Sequence, residues 1–300
     1  MRAVISVVAF TIFTSFLAAP AVRAQAPAAC DRACLGDVVT RYLNSLIAHD
    51  PKQAPLADTA RFTEDAAVKP IGDGFWKTAT RLRPYRTDFL DVRQGTAAVH
   101  AVMEENGAPV LFAARLKVVN RKITEIESMV VRNAQEAMLF APDTLKEKSV
   151  AMTTMPDKAQ LTPRDQMVQI AIRYPEGLRI GSFVKSDVPF APGAYRIENG
   201  VRMGGPGCTF QPPSCEDLKN QRIPTLAGMR RRVIAVDEEA GLVLLWLDFG
   251  PGSLMGADAA GKSLVTFEGF KIYGGQVHAV EAVFKGMPLN SPTGWDEPQR

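Results

Sequence analysis

The chain is poor in the residues that build metal centres. Its 300 residues hold only 3 histidines (His49, His100, His278) and 4 cysteines (Cys30, Cys34, Cys208, Cys215), so no multi-ligand metal site is expected. It also lacks an excess of either charge. Lys and Arg total 35 against 32 Asp and Glu, a formal charge of +3. Arg2 and Arg23 fall in a segment read below as removable, which leaves 33 against 32, or +1. That balance offers nothing to hold a nucleic-acid backbone or an anionic membrane. Catalytic signatures are missing as well. Ser253 has Pro251 and Met255 where a nucleophile elbow needs glycines, and no P-loop, G-x-G-x-x-G after a strand, or H-E-x-x-H occurs. No nucleotide or metal cofactor is expected. What is present is a folding composition: 46% hydrophobic, 22% charged, with 23 Gly and 21 Pro, which excludes a disordered or collagen-like chain.

The N-terminus reads as an export signal. Met1-Arg2 is a positive start, residues 3–19 are almost wholly apolar, Pro20 breaks the run, and Val22-Arg23-Ala24 supplies small residues for cleavage. Residues 1–24 are therefore read as a signal peptide. No other run approaches the ~20 apolar residues of a membrane helix, so no membrane anchor is expected. A periplasmic or secreted protein can form disulfides. Cys208 and Cys215 bracket a turn-rich loop that a local bridge would clamp. Cys30 and Cys34 stand four apart at the start of a predicted helix, where i,i+4 geometry does not favour a direct bridge. Three pairings of the four cysteines remain open.

The body reads as two similar halves. Leu35, Val38, Val39, Tyr42, Leu43, Leu46 and Ile47 recur at helical spacing over 30–49. Strands follow at 87–93, 96–103, 109–119 and 123–132, punctuated by Glu105-Asn106-Gly107 and Asn120-Arg121-Lys122. A proline-bearing linker spans 141–164, and then the pattern restarts. Met167, Ile170, Ala171 and Tyr174 recur helically, although Pro175 argues against a regular helix there. Strands are predicted at 194–197, 229–237, 241–249, 263–273 and 276–285. Arg41-Tyr42 matches Arg173-Tyr174, Asp73-Gly74 matches Asn199-Gly200, and Ile123–Glu127 matches Val277–Glu281, in the same order. Helices followed by an antiparallel meander make an α+β fold. The expected boundaries are 25–140 and 165–295 for the two modules.

Val39–Asp50 with Phe62–Val68, and Phe267–Val277 with Ala279–Phe284, resemble the opening and closing elements of the SnoaL-like, or nuclear-transport-factor-2-like, superfamily that includes the ketosteroid isomerases. The resemblance implies two cystatin-like α+β modules, each a cone or barrel with N-terminal helices on a curved antiparallel sheet. In ketosteroid isomerases a helix tyrosine and a protonated acid donate hydrogen bonds to a developing enolate, and the acid works in its neutral form. Carried over, the tyrosine falls on Tyr42 and Tyr174 and the acid on Glu268. Its first-half counterpart is Ala114, so the second half is expected to hold the chemistry.

Period-two alternation puts Glu268 beside Thr266, Phe270 and Ile272, apolar company that raises a carboxyl pKa. It also aligns His278, Val280, Ala282 and Phe284 on the face that the resemblance turns toward the pocket, with Glu281 outward. The expected catalytic set is Glu268, His278, Tyr174 and Glu198. Arg230, Phe270, Val280, Phe284 and Tyr42 are expected to contact substrate. The expected function is an exported, cofactor-independent lyase or isomerase acting by acid–base chemistry on a small hydrophobic cyclic or aromatic compound. The alternatives are a non-catalytic exported binding protein for such a molecule, or a structural module whose sheets form a homo-dimer.

Overall fold

A computed structural model describes residues 30–211, 213–255, 259–291 and 295. The signal-peptide reading of 1–24 lies outside the described residues. The first half opens with α1 (Arg32–Ile47), capped by the Asp31 carboxylate accepting from the Cys34 N–H. Then come β1 (Leu56–Glu64), β2 (Ala67–Lys69), β3 (Ala79–Asp91), β4 (Thr96–Glu105), β5 (Ala108–Val119) and β6 (Lys122–Val131). Short helices α2 (Ala134–Ala137) and α3 (Val150–Thr153) lie in the segment between the halves. The second half repeats the order: α4 (Arg164–Ile180), β7 (Phe190–Glu198), β8 (Val201–Gly204), β9 (Arg230–Asp237), β10 (Leu242–Pro251), β11 (Lys262–Tyr273) and β12 (Gln276–Pro288).

Each half forms one six-stranded sheet, in the orders β2-β1-β6-β5-β4-β3 and β8-β7-β12-β11-β10-β9. The α+β layout is as expected, but the sheets are mixed rather than antiparallel. β1 runs parallel to β6 and β7 parallel to β12, because the chain leaves each first hairpin and crosses to the far edge before the meander begins. The Asn106-Gly107 and Asn199-Gly200 turns have positive φ at both residues (51° and 84°; 47° and 85°), as tight hairpin loops require.

Helix α4 continues through Pro175 despite the lost N–H donor. Its buried face (Met167, Ile170, Ala171, Tyr174, Leu178) packs on the second sheet, and that packing outweighs the missing bond. The helix ends at Gly181, which adopts the left-handed cap (φ 72°). The first helix packs on its own sheet through Leu35, Val39, Tyr42 and Leu43, against Phe62, Trp76 and Phe112.

The other faces of the two sheets bury each other. Phe89, Ala98, Val102, Leu111 and Met129 of the first half share one core with Ala235, Leu244, Trp246, Phe267 and Val283 of the second. Reciprocal ion pairs close the interface at both ends. Arg32, the first residue of α1, donates to Asp237 (2.9 Å), and Arg164, the first residue of α4, donates to Asp91 (2.6 Å). Each aspartate also takes a backbone N–H from across the interface: Leu90 to Asp237 (3.2 Å) and Val236 to Asp91 (2.9 Å). The strand registers make Asp91 equivalent to Asp237 and Leu90 to Val236, so the duplication repeats in the contacts.

Both cysteine pairs are bridged locally, Cys30–Cys34 and Cys208–Cys215. The first corrects the expectation from helical spacing. Cys30 precedes the N-cap Asp31, so it is free of helical geometry and its Cα comes within 5.2 Å of that of Cys34. Replacing Cys208 and Cys215 with serine is expected to cost roughly 2 kcal/mol, the loop-closure value for so short a loop. Urea unfolding of the double variant checks this, and an unchanged midpoint would refute it.

Candidate functional site

The second half gathers four polar side chains between α4 and its sheet. Glu198 on β7, Ala282 on β12 and Glu268 on β11 lie side by side along one rung of the ladder. Strands stand ~4.8 Å apart, so about 10 Å separates the two glutamate backbones. The small Ala282 between them leaves their carboxyls facing each other across the same side of the sheet. The next rung on that side carries Arg196, Val280 and Phe270. Tyr174 descends from α4 onto this patch, edge-on to Phe270 with ring centroids 5.2 Å apart and stacked on Phe183 at 4.7 Å.

The electrostatics follow from burial. Glu268 is 1% exposed and its Oε2 has no hydrogen-bond partner. Burial, reinforced by the Glu198 charge, pushes its pKa up to about 8, with Arg196 and the Tyr174 hydroxyl opposing. Glu268 is therefore a neutral acid at pH 7. Burial also pushes the Tyr174 phenol well up, with Glu268 and Glu198 adding to the effect and Arg196 opposing it. Arg196 donates to the Tyr174 hydroxyl (3.2 Å) and ion-pairs with Glu198 (3.1 Å). Burial works against its charge, but Tyr174, Glu198 and Glu268 outweigh that and raise its pKa. Glu198 keeps 20% side-chain exposure, so the cluster runs from a buried acid to a carboxylate that meets solvent.

Of the expected residues, Glu268, Tyr174 and Glu198 come together, with Phe270 and Val280 packed beside them. Four others do not join them. His278 sits in a bulge between the Lys271–Ala279 and Ile272–Val277 pairs, which breaks the alternation that aimed it inward. It stacks on Tyr273 (centroids 3.5 Å apart) with its Nε2 3.1 Å from the Tyr273 carbonyl, and burial lowers its pKa. Arg230 lies opposite Asp248 in the β9–β10 register and is consumed by that carboxylate (3.1 Å). Phe284 lies on the Ala282 side of β12 but packs in a different apolar cluster from Tyr174, Phe270 and Val280, and Asn199 donates to its carbonyl and to that of Leu139. Tyr42 occupies the equivalent place to Tyr174 but in the core of the first half, against Trp76 and Phe112. Glu281 faces outward from α4 as expected. That side is the interface, and Glu281 accepts from Tyr85 of the first half (2.6 Å), Tyr195 (2.7 Å) and Ser149 (2.6 Å) beneath a cleft of about 630 Å³.

Arg196 is the member that sequence reading missed. Its signal was there: Arg196 and Glu198 alternate with Tyr195 and Ile197, a polar pair on one face of a strand.

The first half shows what the site requires. Ala114 pairs with Val99 and Ser128 as Glu268 pairs with Leu245 and Ala282, so the acid is replaced by a methyl. Phe62 stands where β7 carries Arg196, each two residues before the last glutamate of its strand. Only the tyrosine and Glu64, the counterpart of Glu198, persist, and Glu64 is tied to the Phe75 N–H (2.7 Å).

Residues 160–284 match the family model described as "Domain of unknown function (DUF8021)". That span holds all four members of the cluster. A solved NTF2-like protein of unknown function from Cytophaga hutchinsonii is similar at 12% identity and a TM-score of 0.28, covering 34% of this chain and 91% of that one. No curated protein matches the chain. The two disulfides fit an oxidising compartment, and among the described residues no helix is long and apolar enough to cross a membrane.

Proposed function

We propose that the second half is an acid–base site for a small hydrophobic cyclic or aromatic carbonyl or phenolic compound, in a protein exported by its first 24 residues. The observation that carries this reading is Glu268, a carboxyl 1% exposed with one oxygen lacking a hydrogen-bond partner, next to the Tyr174 hydroxyl, where burial favours the neutral form. A neutral carboxyl and a phenol are the two donors that stabilise a developing oxyanion without introducing a counter-charge. Glu198, ion-paired and partly solvated, is the group placed to take or return a proton. The resulting chemistry is a lyase or isomerase step needing no cofactor, as the SnoaL-like resemblance also implies. His278 has no part in it.

The buried Arg196 favours a second reading, in which the same cluster only binds an anionic form of such a compound. Deuterium exchange separates the two. With cyclohexenone in D2O, the protein is expected to speed exchange next to the carbonyl, and Glu268→Ala and Tyr174→Phe are expected to cut that rate by 10²-fold or more. A phenol titration should weaken in the same variants. Binding without exchange would leave the binding reading. If neither substitution alters exchange or binding, the site is wrong.

A further inference from the structure

The triple arginine run at 230–232 is not used by the site above, and it leads to a second one. Between the two halves lies a cleft of about 190 Å³ bordered by Asp91, Thr96, Arg115, Lys117, Arg164 and Arg232. Thr96, Arg115 and Lys117 come from β4 and β5 of the first half, and Arg164 and Arg232 from α4 and β9 of the second. The acidic groups around it are already engaged. Asp91 takes both Arg164 nitrogens and the Val236 and Gln94 N–H groups. Glu127 accepts twice from Arg232 Nη2 (2.7 Å each), Glu125 accepts from Arg115 Nη2 (2.7 Å), and Glu238 pairs with Arg164 (3.4 Å) and Arg93 (2.7 Å).

Two donors are left over. Arg115 Nη1 and Arg232 Nε are buried with no hydrogen-bond partner, on side chains 8% and 7% exposed. Buried guanidinium donors without acceptors are costly, and both belong to residues that line the cleft. Lys117 adds an ammonium at its exposed rim, where it also donates to the Gln94 carbonyl.

The duplication supplies an internal comparison. The registers make Arg115 equivalent to Gly269, Lys117 to Lys271 and Arg232 to Thr87. At that second position neither counterpart carries a guanidinium, and the one that remains, Arg32, is paired with Asp237. A side chain at Gly269 would run into Phe89 at 2.6 Å and Met152 at 3.2 Å. The Lys271 ammonium is turned onto the Thr154 and Ala240 carbonyls. One copy of the interface is thus closed by an aromatic ring and a thioether, and the other is opened and lined with cations.

We propose that the open copy is a binding site for a tetrahedral oxyanion, a phosphate group or one of its size and charge, held by Arg115, Arg232 and Lys117. Guanidinium donors from both halves, with an ammonium on the rim beside Arg115, suit an ion with oxygens on several sides better than a planar carboxylate. The site is independent of the Glu268 cluster and uses none of its residues.

Two of the three tryptophans report on it directly. Arg115 lies over the Trp295 ring (5.3 Å to the centroid) and Arg232 over Trp246 (5.7 Å). Inorganic phosphate is titrated into the intact, disulfide-bonded protein at constant ionic strength, with chloride as the balancing anion, while tryptophan fluorescence is followed. A saturable change with a midpoint near or below about 1 mM is expected. Arg115→Met should weaken it at least tenfold, and Lys117→Met, at the exposed rim, several-fold. Should Arg115→Met fail to fold, Lys117→Met decides alone. A response that never saturates, one unchanged in the variants, or acetate binding more tightly than phosphate would each overturn the proposal.

Discussion

Glu268→Gln is expected to make the protein more stable than the wild type above pH 7, while the two remain close at pH 5. A glutamate in the unfolded chain titrates near 4.5, and burial moves it to about 8 in the fold. Between those values the folded state binds a proton that the unfolded state has released. Stability contributed by the neutral carboxyl is therefore complete below about pH 4.5 and drains away as pH rises toward 8. At 1.36 kcal/mol per pKa unit the full loss is on the order of 3 to 5 kcal/mol. Glutamine keeps the shape and carries no proton to lose, so the variant skips the loss. Urea unfolding at pH 5, 7 and 9 measures the difference. A gap that does not widen with pH would show that Glu268 is charged in the fold, and the oxyanion mechanism would go with it. The same substitution replaces the carboxyl O–H by the weaker amide donor, which stabilises an oxyanion less well, so stability and exchange activity should move in opposite directions.

Asp91→Ala should be the most damaging change in the interface. The Asp91 side chain is 1% exposed and is the acceptor for Arg164 and for the Val236 and Gln94 N–H groups. Removing it leaves two backbone donors unpaired and Arg164 with only Glu238 and the Val236 carbonyl, for a cost of about 2 to 4 kcal/mol. Asp237→Ala should cost a similar amount, because Arg32, Leu90 and Ala240 stand to it as Arg164, Val236 and Gln94 stand to Asp91. Calorimetry of both variants checks the symmetry. Losses under about 1 kcal/mol, or a large loss in only one, would mean that the duplicated contacts are not equivalent in energy. Because the two halves share one core, the wild type should unfold in a single step, and either variant should begin to separate the transitions.

The internal repeat is legible because it is written in local periodicity. The helical spacing around Tyr42 and Tyr174 and the match of Ile123–Glu127 with Val277–Glu281 persist in the structure, and so does the pairing of Ala114 with Glu268 that the family resemblance implies. The turn match does not: Asp73-Gly74 opens a short 3-10 turn, and the counterpart of Asn199-Gly200 is Asp65-Ala66, which joins β1 to β2 with positive φ at both residues. What escapes the sequence depends on partners. Counting in twos aims His278 inward, and a single extra residue in the ladder undoes the count. Residues 56–64 show no clean alternation, because β1 is held by a parallel neighbour far along the chain, which sequence spacing does not report. Helical spacing puts Cys30 inside a helix that in fact starts two residues later.

The packing of sheet on sheet left a trace that only makes sense afterwards. In β4, Thr96 through Glu104 are buried without a break, His100 included, and β11 is buried from Ser263 to Ile272. Strands with one wet face do not look like that; continuous burial marks a sheet covered on both sides. His100 shows the force of that covering, since burial drives its pKa down to about 3.

The paired sheets have one more consequence, which concerns dilution. Two separate chains joined through such faces would come apart as their concentration falls. Here residues 132–163 tether the halves, so the local concentration of each near the other is fixed by the length of that connection, whatever the surroundings. The assembly persists at any dilution. It also frees the halves from being identical, because one can lose its acid and the other can keep it without any change in what holds them together.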